Sequence, residues 1–319
     1  MIEFLLDNKA GQIWDISDLV SEMTWKTARS GSPSSLDFTL IKGSLYQSKD
    51  FELTNGSLVR VRKDGHHVFF GYIFELDYGN DEAVKVKAYD QMRYLMYKFT
   101  YVFSKMTAAD IIRRIAGDFG LKVGTLTDTP YVIPSMVEED QTLLDIISKA
   151  LTLTLVHSGQ NLVFYDNFGF LELRDIQDMQ VELAIGEQSL MTDYSYKRSI
   201  DGETYNRVML LQKNGQGVAY TAEDKDNIAK WGLLQWFETV DDQKTEAQIH
   251  EMKNQILALK NREQRSMTVQ ALGDLSLRAG CYVHIHIDEH QIEQYFLVDE
   301  CTHNFRGDDH TMSLKLKVI

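Results

Sequence analysis

Two stretches of this 319-residue chain, one near each end, repeat the same order of residue types at a constant spacing. The corresponding pairs, each 171 positions apart, are Trp25 and Tyr196, Gly31 and Gly202, and Leu40 and Leu211. Internal repetition constrains the architecture before any local pattern does, because each copy must form a comparable folding unit. Two copies are too few for a solenoid, and they predict two similar β-barrels in one chain.

Each copy ends in a glycine-led meander, over residues 56–87 in the first and 280–317 in the second. The strands of the two meanders are 224 positions apart, as Val59 and Val283 show, rather than 171. The difference places an insertion in the second copy, between about 215 and 267.

Residues 1–100 predict the first barrel, because apolar and polar residues alternate between Gly, Asn and Asp turns. Residues 101–182 have helical periodicity and predict a small α/β domain, with helices beginning at Thr107 and near Asp140 to Thr142. Pro130 and Pro134 indicate an irregular loop inside it. Residues 183–319 form the second barrel, which carries the insertion. The fold class is therefore α+β and mainly β, with two similar antiparallel barrels flanking the α/β domain.

The insertion contains a predicted helix from Thr245 to Arg262. Its apolar residues are spaced 3, 4 and 3 positions apart, which is a narrow stripe of the coiled-coil type. The stripe consists of Ile249, Met252, Ile256 and Leu259. It has two interpretations: packing on its own barrel, or contact with a neighbouring subunit.

The composition excludes several classes of protein. The net charge of −14 argues against general binding to phosphate backbones, which requires an excess of Lys and Arg. The longest apolar run, Val68 to Phe74, is the length of a strand and too short for a membrane span. The N-terminal residues lack the basic region and the cleavage site of a secretory signal, so synthesis in the cytosol is expected.

His284 and His286 are the strongest candidates for metal ligands, because residues i and i+2 of a strand share one face. The repeat favours a simpler interpretation. In the first copy Arg60 and Arg62 occupy the same places, as outward polar residues beside buried valines. We therefore predict no metal site.

Cys281 and Cys301 are the two cysteines of the chain. If Ile287 paired with Tyr295 in a hairpin, Cys281 would pair with Cys301. The two thiols would then lie opposite each other, within reach of a disulfide. Buried free thiols are the other possibility, and the one expected in a reducing cytosol.

Acidic runs such as 138–140 and 308–309 could suggest hydrolase carboxylates. They lie at predicted turns and helix starts, where acidic residues stabilise local structure. No phosphate-binding glycine loop, nucleophile elbow or zinc-finger spacing is present in the sequence. The sequence predicts no catalytic residue, no cofactor and no enzymatic activity.

In its order of motifs the chain resembles the baseplate hub proteins of phage tails, particularly those of Bacillus and Clostridium defective prophages and the related Mu-type and T-even hubs. The segments that carry the resemblance are 7–16, 25–38, 106–112, 142–147, 227–232 and 273–280. They cover nearly the whole length.

The resemblance implies a homotrimeric ring in the tail baseplate, assembled in the host cytoplasm. Such a ring joins the sixfold tail tube to the threefold central spike and leaves a channel for the genome. It also implies contacts with tube-initiator and other baseplate proteins, without sequence-specific nucleic-acid binding and without a membrane. The sequence leaves two alternatives open: a carbohydrate- or peptide-binding β-barrel module, and a cell-wall hydrolase.

Overall fold

The computed structural model describes residues 1–42, 51–80, 82–212, 217–240 and 244–317. It divides into two compact units: Met1–Tyr194 with Thr268–Ile319, and Ser195–Met267. The predicted start of the insertion, near 215, lies outside the described residues, and the second unit starts about twenty residues earlier. The predicted domain boundaries at 100 and 182 stay a prediction. Among the described helices none has the length and apolarity to cross a membrane.

The first repeat consists of antiparallel strands. They are β1 (Ile2–Asp7), β2 (Ile13–Asp15), β3 (Val20–Ala28), β4 (Ser35–Ile41), β5 (Leu58–Lys63), β6 (His66–Tyr78) and β7 (Ala83–Tyr89). Their order in the sheet is β3-β4-β7-β6-β5-β1-β2. The rings of Phe4 in β1 and Phe38 in β4 are nevertheless 4.6 Å apart, and both are buried. The sheet therefore curls around one core, as a barrel does.

The middle region has its own core and its own sheets. Its elements are β8 (Lys98–Thr107), α1 (Ala108–Asp118), β9 (Val123–Leu126), β10 (Val132–Thr142), α2 (Leu143–Ser158), β11 (Leu162–Asn167) and β12 (Phe170–Asp175). Thr107 caps α1, with Asp110 completing a reciprocal capping box, and Thr142 caps α2. Both predicted helix starts are confirmed, because a threonine oxygen satisfies main-chain N–H groups that the first turn leaves unpaired.

The predicted irregular loop around Pro130 and Pro134 is wrong at its second proline. Pro134 lies within β10, which pairs with β8 on one side only. A strand at the edge of a sheet accepts proline because the missing N–H is not needed for a second ladder.

The remaining elements complete the chain. They are β13 (Gln180–Gly186), β14 (Met191–Ser199), β15 (Arg207–Gln212), β16 (Val218–Glu223), α3 (Lys225–Trp231), β17 (Gln235–Val240), α4 (Glu246–Lys260), β18 (Gln264–Leu272), β19 (Tyr282–Ile287), β20 (Ile292–Arg306) and β21 (Asp309–Lys317). The second repeat has the order β14-β18-β21-β20-β19-β13. This is the order of β3-β4-β7-β6-β5-β1 in the first repeat, so the duplication is confirmed.

A local irregularity is also duplicated. The pairing of β6 with β7 shifts register between Ile73 and Glu75, and the pairing of β20 with β21 shifts between Val298 and Glu300. The two bulges are 225 positions apart, close to the meander spacing. Because a bulge aims the following residues in a new direction, the two long strands turn at the same point in both repeats.

One part of the predicted repeat is wrong. The run Val208 to Leu211 was expected to match β4, but β15 belongs to a separate sheet with the order β16-β15-β17. The strand that occupies the place of β4 is β18. The error arose because alternating apolar residues are common to all half-buried strands, so a coincident spacing did not identify the right one.

The two repeats also differ at one edge. β1 is antiparallel to β5, whereas β13 is parallel to β19. The chain reaches β13 from the middle region and must enter from the opposite end of the strand, so the second repeat is not purely antiparallel.

Candidate functional site: the seam between the two repeats

Strand pairing between β3 and β20 joins the two repeats into one continuous sheet. Residues Glu300–Arg306 pair in antiparallel register with Glu22–Ala28. The hydroxyl of Thr27, which is 3% exposed, accepts a hydrogen bond from the Ala279 N–H at 3.0 Å. We call the contact between β3 and the Glu300–Arg306 half of β20 the seam.

A chain of hydrogen bonds runs beside the seam through two histidines. Lys63 Nζ donates to His310 Nδ1 at 3.2 Å, and His310 Nε2 donates to His303 Nδ1 at 3.0 Å. His303 Nε2 then donates to the Leu277 carbonyl oxygen at 2.9 Å. The ammonium can only donate and the carbonyl can only accept, so these contacts assign one tautomer to each neutral imidazole.

Burial keeps both imidazoles neutral. It lowers the pKa of His303 from 6.5 to about 4, and that of His310 to about 4 with a further contribution from His303 itself. The ring of His303 stacks on Trp25 with centroids 5.0 Å apart. A proton added to either ring would break the hydrogen-bond chain, because Nδ1 would lose its role as acceptor.

A buried carboxyl group lines a cavity together with Trp25, where the first repeat meets the middle region. Asp90 is 2% exposed and accepts hydrogen bonds from the N–H groups of Ser34, at 3.0 Å, and Met92, at 2.9 Å. Burial and the nearby charge of Asp166 raise the pKa of Asp90. The two hydrogen bonds orient the carboxyl group, but they do not compensate for the loss of hydration.

Asp166 is its partner from the hairpin of β11 and β12. It accepts hydrogen bonds from Gln91 Nε2 at 2.7 Å and from the Gly169 N–H at 2.8 Å, and burial raises its pKa. Arg278, from the second repeat, stacks its guanidinium 3.9 Å from the centroid of Tyr165 and donates to the Asp166 carbonyl oxygen. Three parts of the chain thus meet at this acid pair.

A cavity of about 150 Å³ lies between these parts. Its walls include both carboxyl groups, Arg278 and the rings of Trp25 and Phe168. Its volume corresponds to a few water molecules. The cavity is consistent with a hydrated structural junction.

The acid pair leads to a prediction about pH. The folded-state pKa of Asp90 is above its unfolded value of 3.8, so its contribution to stability is complete below pH 3.8 and declines as the pH rises. The variant Asp90→Asn removes this decline but also loses one accepted hydrogen bond. We expect the variant to gain stability relative to the wild type as the pH rises from about 4 to about 8, and the gain to level off above that value, in urea unfolding experiments. A difference that does not change with pH would contradict the assignment.

The predicted stripe on α4 packs inside its own unit. Ile249 is fully buried in a cluster with Val208, Leu210 and Val240, and Met252 and Ile256 pack against that cluster. Leu259 is 59% exposed. Packing on the helix's own sheet accounts for three of the four residues, although that sheet is not the barrel. Contact with a neighbouring subunit stays a prediction, and within this arrangement Leu259 offers the most surface for it.

The two candidate metal ligands lie apart from the seam. The ring of His284 contacts Tyr295, and His286 Nε2 is 3.0 Å from the Asp288 carboxylate. Across the described ranges, no group of three or more His, Cys, Asp or Glu side chains is placed to hold a metal ion. The prediction that the protein works without a metal remains to be tested by elemental analysis.

The proposed register of the two cysteines is wrong. Tyr282 pairs with Leu297, so Cys281 lies beside Val298, and Cys301 lies opposite Thr27 on the seam. Both are buried free thiols, and burial raises the pKa of each. The register differs because the turn after β19 is shorter than the one assumed.

Sequence reasoning missed the histidine chain and the acid pair. His303 alternates with Cys301 and Phe305 along β20, which is the signal of a residue that points into a core. Asp90 directly follows β7 and caps the next turn, an ordinary role that gives no sign of its burial.

The comparisons with known proteins agree with this architecture. The prophage MuSo2 43 kDa tail protein from Shewanella oneidensis is similar in fold, with a TM-score of 0.73 over 98% of each chain at 11% identity. The phage-like element PBSX protein XkdQ of Bacillus subtilis strain 168 is 31% identical over 301 residues, 93% of this chain and 92% of that protein. The uncharacterized protein YqbQ of the same strain is 32% identical over 267 residues, 83% and 82% of the two chains.

The chain therefore has the fold of a prophage tail protein and is related in sequence to a protein of a phage-like element. The profile of the YQBQ-like family matches residues 23–317. The chain belongs to the YQBQ-like family.

Proposed function

We propose that this protein is the non-enzymatic hub of a phage or phage-like tail baseplate. Three copies form a ring that joins the sixfold tail tube to the threefold central spike. The observation that carries the proposal is the duplication: two repeats of the same strand order are joined edge to edge by the seam. Three chains then present six similar repeats to the tube, while the middle regions and insertions keep threefold symmetry.

The continuous sheet supports a cyclic arrangement. A ring of identical chains uses heterologous contacts that close after a fixed rotation. Within one chain the seam already relates one repeat to the next by such a contact. A ring needs the same relationship to recur between chains.

The charge distribution supports a channel for nucleic acid. Residues 195–267 contain 11 basic and 11 acidic residues, so the net charge of −14 belongs entirely to the rest of the chain. An acidic wall repels phosphates and offers a moving genome nothing to bind. The partners of the hub are the spike, the tube or tube-initiator proteins and other baseplate proteins.

Two buried titratable groups with shifted pKa values, His303 and Asp90, support a structural role. The polar atoms of His303 and of Asp90 are engaged by main-chain groups and neighbouring side chains inside the fold. These hydrogen bonds hold segments of the fold together.

Localisation in assembled particles tests the proposal. A short epitope tag at the C-terminus of the chain is introduced into a producing strain, and intact tails are labelled with gold-conjugated antibody. We expect label at the distal tip of the tail, and no complete baseplates in a strain that lacks the chain. Label along the tube or the sheath, with normal baseplates in the deletion strain, would rule out the hub.

A further inference from the structure

An open groove with a volume of about 850 Å³ crosses the outward face of the seam. Four of the residues that line it form a row across neighbouring strands, in which Thr302 lies opposite Lys26, Lys26 opposite Ser35, and Ser35 opposite Tyr89. The loop of residues 30–33 between β3 and β4 also lines it. Because the row includes both repeats, the groove exists only where β20 joins β3. We call it the seam groove.

The end of the seam groove in the first repeat is positively charged. Lys26, Lys87 and Arg93 line it there. The ammonium groups of Lys26 and Lys87 are 3.8 and 3.5 Å from the carboxylate of Asp37, so two cations share one acid. Arg93 forms no ion pair with any residue in the described ranges. Three cations thus face one carboxylate, in a chain whose net charge is −14.

Aromatic rings hold the side chain of Arg93. Its guanidinium carbon is 5.5 Å from the ring centroid of Phe74 and 5.9 Å from that of Tyr89, within the range of cation–π attraction. The short helix that carries Arg93 is capped by Asp90. A guanidinium presents its N–H donors in a planar fork that matches a carboxylate with two parallel hydrogen bonds. Arg93 is therefore an ordered binding group for an acid that the described chain does not supply.

The opposite end of the seam groove contains acids that already have partners. Asp299 is 3.0 Å from the Arg29 guanidinium, and Glu300 is 2.7 Å from the Lys315 ammonium. Between the two ends the loop 30–33 offers serine hydroxyls. A nucleic-acid strand carries a phosphate at every nucleotide and would meet these acids. A peptide with acidic side chains at one end only would not, so the charge pattern favours a peptide.

We propose that the seam groove binds an extended peptide segment of a partner protein, with two acidic side chains at the end next to Arg93. The two acids are separated by one residue, so they share one face of the extended chain. Arg93 binds one carboxylate through two parallel hydrogen bonds, and Lys26 with Lys87 binds the other. The hydroxyls of the loop 30–33 bind the peptide main chain. This site goes beyond the proposed hub, because a single chain contains all of it.

Calorimetric titration of the full-length chain tests the ligand class. The probe is the acetylated and amidated peptide Gly-Ser-Gly-Glu-Ser-Glu, for which we expect saturable binding at one site per chain. The glutamine version, Gly-Ser-Gly-Gln-Ser-Gln, should bind about tenfold more weakly, because hydrogen bonds to charged groups are stronger than neutral ones. Absence of binding at about 1 mM glutamate peptide would overturn the site. Equally tight binding of hexathymidylate would overturn the peptide and indicate a phosphate site.

Variants of the chain test the residues. Arg93→Gln is expected to weaken binding of the glutamate peptide about tenfold. Arg306→Gln is the matched control, because Arg306 is exposed on β20 and does not line the groove. Equal affinities in these two variants would contradict the role of Arg93. Lys26→Gln, at a side chain that is 55% exposed, should also weaken binding and tests the same end without disturbing the packing around Arg93.

Reversal of the charge separates recognition from damage to the fold. Arg93→Glu is expected to bind Gly-Ser-Gly-Lys-Ser-Lys more tightly than the glutamate peptide, which is the opposite preference to that of the wild type. Urea unfolding of each variant measures whether the fold is kept. A folded Arg93→Glu variant that still prefers the glutamate peptide would overturn the proposed orientation. These outcomes do not bear on the hub, whose copy number is measured in the assembled tail.

Discussion

Replacing Gly71 with alanine is expected to destabilise the first repeat by roughly 3 kcal/mol or more. Gly71 is a buried residue of β6, paired with Val59 on β5. A Cβ atom there would overlap the carbonyl oxygen of Tyr89 and the ring of Phe69. The carbonyl belongs to the main chain at the end of β7 and cannot turn away, so the strand itself has to move. The measurement is the free energy of unfolding in urea.

A second glycine in the same compact unit is the control. Gly117 lies in the last turn of α1, and a Cβ added there meets nothing within 4 Å. Alanine favours helical backbone over glycine by up to about 1 kcal/mol, so Gly117→Ala is expected to leave stability unchanged or raise it. Equal losses in the two variants would show that the tight approach at Gly71 does not exist.

Acid is expected to weaken the fold through the histidine chain. The folded-state pKa of His303 is about 4 against 6.5 for the ordinary group, so between these values the unfolded chain binds a proton that the folded chain does not. Stability is complete above pH 6.5 and declines as the pH falls towards 4, by about 3 kcal/mol for this group. His310 shifts in the same direction but is half-buried, so its share is smaller.

Variants separate the loss of stability in acid, which His303 causes, from the effect of Asp90 and Asp166. The acid pair acts in the opposite direction, because its contribution to stability declines as the pH rises. His303→Gln should be less stable than the wild type at pH 7 and should show a flatter decline between pH 6.5 and 4. His66→Gln, which removes an exposed imidazole, is the control. An unchanged acid profile in His303→Gln would mean that the chain from Lys63 to Leu277 does not hold the ring neutral.

The duplication was predictable because residues of similar type occupy equivalent positions on corresponding strands of the two repeats. Trp25 and Tyr196 occupy equivalent positions on β3 and β14, and the 224 spacing of Val59 and Val283 matches β5 to β19. The helix starts at Thr107 and Thr142 were also predictable, because capping is local and a few residues determine it.

Other features were not predictable, since they depend on which segments meet. The assignment of Val208–Leu211 to the barrel was wrong because alternation shows that a strand is half-buried and not which sheet it joins. The seam unites residues about 280 positions apart, and nothing near Trp25 indicates that His303 will stack on it.

Symmetry at the tail tip is the central claim, and a reconstruction of the assembled tip by electron cryomicroscopy tests it most directly. We predict three copies of this chain around the channel, presenting six similar repeats to the tail tube. Two or six copies, or three copies placed away from the central axis, would contradict the account.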